Sequence, residues 1–104
     1  MPTMVFTYSP KPGVPFEEFE RFLREVDQPV TLSVPSAISS RILRVQTADA
    51  GFACIETLEV TSFEEWDRDS KLPRVQAVVA QWGSYGDVAN VKAYRCEQFY
   101  AGKA

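Results

Sequence analysis

Residues 41–60 read RILRVQTADAGFACIETLEV, two runs rich in apolar and β-branched residues on either side of a turn signal. Asp49-Ala50-Gly51 suits a three-residue hairpin turn with Gly51 in the left-handed position. That turn pairs Ala48 with Phe52, Gln46 with Cys54, Arg44 with Glu56 and Ile42 with Leu58. One face of the hairpin then carries a central Arg44–Glu56 cross-strand ion pair. The opposite face carries Leu43, Val45, Ala53, Ile55 and Thr57, and its apolar middle predicts that it lies under helices. A slip of one residue would exchange the two faces.

Outward from the hairpin, each strand closes a strand-helix-strand unit. Met4–Ser9, helical Pro15–Val26 and Arg41–Thr47 form the first; Phe52–Val60, helical Ser62–Trp82 and Val91–Tyr100 form the second. In the first helix Pro15 suits the first position, where its missing N–H costs nothing. Phe16, Phe19, Phe22, Leu23 and Val26 make its apolar stripe. Glu17–Arg21 and Glu20–Arg24 lie one turn apart on its wet face. The second helical region opens with Ser62-Phe63-Glu64-Glu65, a capping box. It restarts at Pro73 and presents Leu72, Val75, Val78, Val79 and Trp82, with Gly83 as its stop. Val30–Pro35, fenced by Pro29 and Pro35, reads as an edge segment or extended loop. The last strand is mixed on both faces, which suits a wet cavity or a partner.

Two split βαβ units interleave into a four-stranded antiparallel sheet of order 4-1-3-2 with both helices on one face. The 104 residues make one domain, 1–104, of α+β class. A sheet bare on one side must be covered, and two copies packed sheet to sheet would cover both, so a homodimer is expected.

Composition removes several functions. The formal net charge is −3, with Lys and Arg scattered among the acids, so no basic footprint for nucleic acid is present. No stretch has the length and apolarity of a membrane span, and the first residues do not resemble a signal peptide, so a cytoplasmic protein is expected. Cys54 and Cys96 then read as reduced, small apolar residues. The sequence has no histidine. That removes the commonest neutral-pH base and the usual haem ligand, and two cysteines alone do not complete a structural zinc site. Neither a metal nor a cofactor is expected, and the glycines make no phosphate-binding pattern.

The whole chain resembles the dimeric α/β-barrel superfamily of ferredoxin-like folds. The likeness rests on the order of elements, on SFEEWDRD at 62–69 and the Val/Trp-striped helix after it, and on the Gly-containing loop into a Tyr-rich strand. Within that group the short first strand into Lys11-Pro12-Gly13 and the second-half pattern resemble the RedY-like HapK family of bacterial prodigiosin-type pigment pathways. The resemblance implies a part in bipyrrole or prodiginine biosynthesis and transfers no site residue.

The residues themselves offer a set of candidates. Arg44 with Glu56 would orient an anionic or enolic ligand, and a partly buried Glu56 would shuttle a proton. A purely structural ion pair is the commoner role of such a couple. Tyr8 and Tyr94 would hydrogen-bond a ligand oxygen, or act as ordinary core or interface aromatics. Arg95 shares a strand face with Glu97 and fits a pocket no better than a solvated edge or a dimer contact. Trp66 and Trp82 read as core. Three functions stay open: a carrier or chaperone for a small aromatic metabolite; a cofactor-independent monooxygenase, cyclase or isomerase; and a ligand-free oligomerisation module.

Overall fold

A computed structural model describes residues 1–103. Strands β1 (Pro2–Tyr8), β2 (Ala37–Arg44), β3 (Cys54–Val60) and β4 (Lys92–Glu97) form one antiparallel sheet in the order β2-β3-β1-β4. Read from the other edge this is the expected 4-1-3-2. Helix α1 (Phe16–Phe22) continues through a π-helical turn, Leu23–Asp27, into α2 (Gln28–Thr31). Helices α3 (Phe63–Asp69) and α4 (Pro73–Trp82) follow β3.

Pro29 explains the wide turn. Proline has no N–H and its ring crowds the carbonyl four residues earlier, so it breaks an ordinary helix. Here the Gln28 amide reaches back five residues to the Leu23 carbonyl, and the loosened turn lets the helix pass Pro29 and run on to Thr31. Val30 and Thr31 are therefore helical, which corrects the extended reading of Val30–Pro35. Ser62 caps α3 by accepting from the Glu65 amide at 3.1 Å, while Glu65 accepts from the hydroxyls of Thr61 and Ser62. Pro73 occupies the first turn of α4, as its missing donor favours.

The hairpin differs from expectation in register and in facing. Arg44 pairs with Cys54 and Ile42 with Glu56, two residues out of the expected register. The loop is wider than three residues, is closed by Val45 N–H on the Ala53 carbonyl at 2.8 Å, and holds both Asp49 and Gly51 at positive φ. A shift of two keeps each side chain on its own face. Which face meets the helices is nevertheless the reverse of that predicted: Cys54, Glu56, Leu58 and Val60 are all buried, whereas Leu43 is exposed. The apolarity of Leu43 and Ile55 misled because it serves the side without helices.

Two buried clusters fill the space between helices and sheet. One joins Tyr8, Phe19, Phe22, Leu23, Cys54 and Val78, and the other Met4, Leu58 and Val60. Tyr8, Phe19 and Trp82 meet edge to face, with Trp82 5.2 Å from Tyr8 and 5.5 Å from Phe19 between ring centres. The far side of the sheet carries Val5, Leu43, Ile55 and Tyr94, as the strand registers require.

Candidate functional site

A cavity of about 330 Å³ lies between the sheet and the helices, at the low end of the range for small-molecule sites. Phe6, Tyr8, Glu56 and Leu58 form its floor on the two central strands. Asp27, Val30 and Thr31 come from the end of the first helix, Trp66 and Ser70 from α3 and the turn after it, and Val75, Val78, Val79 and Trp82 from α4. Val88 and Val91 close it from the loop before β4. Alternation along β1 and β3 turns Tyr8 and Glu56 to the helix side, and the π turn sets Asp27 above them.

Among the described residues, Thr31, Ser70 and Gln76 add neutral polar groups to a mostly apolar wall, and its two charged residues, Asp27 and Glu56, meet at one place. Glu56 is 6% exposed, and its Oε1 accepts from the Tyr8 hydroxyl at 2.6 Å. Gln28 Nε2 donates to Asp27 Oδ2 at 2.7 Å and reaches Glu56 Oε2 at 3.4 Å. The Ser40 hydroxyl donates to Gln28 Oε1 at 2.6 Å, which fixes the amide with its nitrogen toward the carboxylates. Among the described residues no Lys or Arg forms an ion pair with Glu56 or Asp27.

Burial dominates the electrostatics. It pushes the Glu56 carboxyl up to about 7; the Tyr8 hydrogen bond opposes this, and the neighbouring Asp27 charge adds to it. Burial likewise raises Asp27, with the Gln28 amide opposing, and it holds the Tyr8 phenol protonated well above its ordinary value. A carboxyl balanced near neutral pH can hold or release a proton inside the cavity. Asp69 shows the contrast. It too is buried, but it accepts from the Ser36 amide at 2.9 Å and from Arg68 at 3.1 Å, partners that make it a brace for the chain entering β2.

Of the five residues singled out from sequence, Tyr8 and Glu56 meet in this cavity and three lie elsewhere. Arg44 does not pair with Glu56: it stands opposite Cys54, its guanidinium 3.7 Å over the Phe16 ring, beside a second depression of about 510 Å³ at the β2 edge. Arg95 reaches Asp67 at 2.6 Å and lies over Phe63. Tyr94 is half exposed on the side of the sheet without helices. Asp27 and Gln28 were missed because the first helix was expected to stop at Val26. The i,i+4 spacing of Val26 and Val30 across Pro29 was the available signal. Trp66 and Trp82 pack against the core as expected and line the cavity as well. Cys54 is buried, and burial raises its thiol to about 11; Cys96 lies on the side without helices.

Among the described residues no group of three or more metal-binding side chains occurs, and no helix is long and apolar enough to cross a membrane. The family described as REDY-like protein HapK matches residues 2–99. The crystal structure of HapK from Hahella chejuensis superposes with a TM-score of 0.80 at 21% identity, covering 100% of this chain and 98% of that one. SnoaB, a cofactor-independent oxygenase from Streptomyces nogalater, gives 0.76 at 14% identity over 96% and 94%. A dimeric protein of unknown function with a ferredoxin-like fold from Bacteroides fragilis gives 0.70 at 9% identity over 93% and 95%. No curated protein matches the sequence. The fold shared by these proteins is the ferredoxin-like one.

Proposed function

This chain belongs to the REDY-like HapK family, and on that premise we propose that it is a homodimeric protein of secondary-metabolite biosynthesis, of prodigiosin type, that binds an aromatic intermediate. The ligand sits in the cavity between sheet and helices, not on the side of the sheet without helices. The observation that carries this reading is the cavity itself: mostly aromatic and aliphatic walls around Tyr8, Glu56 and Asp27, whose carboxylates Gln28 bridges from behind. Apolar walls supply affinity for a planar ligand, and a small convergent polar group fixes its orientation. The opposite side of the sheet, with Val5, Leu43, Ile55 and Tyr94, is left for the second copy.

Glu56 favours a second reading of the same site. An acid near neutral pH, buried and held by a phenol, suits cofactor-independent acid–base catalysis, such as a cyclisation or isomerisation in which Glu56 takes a proton from one ligand atom and returns it to another. SnoaB, which shares the fold, is a cofactor-independent oxygenase, so an oxygenated product belongs with cyclised and isomerised ones among those to look for. Incubation of the protein with bipyrrole precursors tests both. Binding without a new product supports the carrier. A new product whose formation falls about 100-fold or more in Glu56→Gln supports the catalyst. Neither binding nor product overturns the cavity assignment.

A further inference from the structure

The geometry points to a ligand that is neutral or cationic and brings a hydrogen-bond donor, an N–H above all, to the Asp27–Glu56 pair, and to a cavity that rejects anions. This rests on the reading above that the cavity is a binding site. The two carboxylates are side by side, since a single nitrogen of Gln28 reaches both. Each carboxylate offers about four lone-pair sites. Among the described residues the protein supplies Glu56 with two side-chain donors, Tyr8 and a long contact to Gln28, and Asp27 with Gln28 alone. Acceptor capacity is left over where the wall's two charged residues meet, and a ligand N–H would fill it.

Charge points the same way. Among the described residues the cavity wall holds two carboxylates and no Lys or Arg. Arg44, the residue that would have recruited an anion, stacks on Phe16 and is not part of the wall. A carboxylate or phosphate on the ligand would enter a weakly solvated space facing like charge with no counter-ion. A neutral heteroaromatic bearing N–H groups meets neither penalty.

Four probes on a common two-ring skeleton separate the possibilities: 2,2′-bipyrrole, its near-isostere 2,2′-bithiophene, the bulkier N,N′-dimethyl derivative and 2,2′-bipyrrole-5-carboxylate. Their affinities are read at pH 8 from Trp fluorescence and calorimetry. The expected order places bipyrrole first, with the dimethyl compound, the bithiophene and the carboxylate each weaker by about tenfold or more. In Asp27→Asn the carboxylate should gain on the bipyrrole by about tenfold, because one of the two facing charges is gone. Bithiophene binding as tightly as bipyrrole would overturn the donor requirement while leaving the cavity as a binding site. Carboxylate binding as tightly as bipyrrole would overturn the exclusion of anions. Failure of all four to bind would instead remove the binding reading on which the inference stands.

Discussion

The Tyr8 hydroxyl donates to Glu56 Oε1 at 2.6 Å across the two central strands, burying a phenol–carboxyl pair to which no Lys or Arg among the described residues forms an ion pair. Tyr8→Phe removes the best donor to that carboxyl while keeping the ring that packs on Phe19 and Trp82. The expected cost at pH 8 is about 1.5–3 kcal/mol, the range for hydrogen bonds to charged groups. The cost should shrink at pH 5, where Glu56 is protonated. Urea unfolding at the two pH values measures both.

Glu56 should make the protein less stable as pH rises. In the unfolded chain it ionises near its ordinary value of 4.5, and in the folded chain it keeps its proton to about 7. Below pH 4.5 both states are protonated and no penalty exists. Between these values the unfolded state loses its proton first, and above 7 the full penalty, about 3 kcal/mol, opposes folding. Glu56→Gln should therefore be more stable than the wild type at pH 8, with the advantage disappearing near pH 4.5. Thermal unfolding across that range reads the difference.

Gly86 leaves no room for a side chain. A Cβ there would collide with the ring of Trp82, the residue that walls the cavity and packs on Tyr8. Gly86→Ala should cost about 1–3 kcal/mol by overpacking and should weaken ligand binding by displacing the indole. Near-ultraviolet circular dichroism of Trp82 and a bipyrrole titration report the two effects.

The helix-free side of the sheet should behave as an interface. Ile55 and Val5 stand next to its centre on the two middle strands. Ile55→Asp should turn a dimer into a monomer by sedimentation equilibrium at micromolar concentration, with unchanged far-ultraviolet circular dichroism. A wild-type chain that sediments as a monomer would contradict the proposed face-to-face packing of two sheets.

The strand order was legible because it follows from the order of elements and the handedness of their connections, neither of which depends on register. The facing of the hairpin was not. Cys54, Glu56, Leu58 and Val60 share a face on which Glu56 looks like a surface residue, and only the helices above it show that it is buried. Tyr8 and Glu56 could be named as candidates, but their meeting depends on the alignment of β1 with β3, which no local pattern encodes. Arg44 was joined to Glu56 by a turn centred one residue too late, at Ala50 instead of Asp49, which sets the partner strand two residues out of register. Asp27 and Gln28 depend on the π turn that carries the helix past Pro29, a tertiary accommodation that a proline in sequence conceals.

The proposed function turns on Glu56, buried beneath the helices. Carbon-13 NMR of the protein labelled at glutamate side-chain carboxyls, with Glu56→Gln for assignment, tests it most directly. The account predicts that Glu56 titrates near pH 7 in the free protein and that its resonance shifts when 2,2′-bipyrrole is added. An ordinary titration near 4.5, with no shift of the Glu56 resonance at saturating 2,2′-bipyrrole, would contradict it.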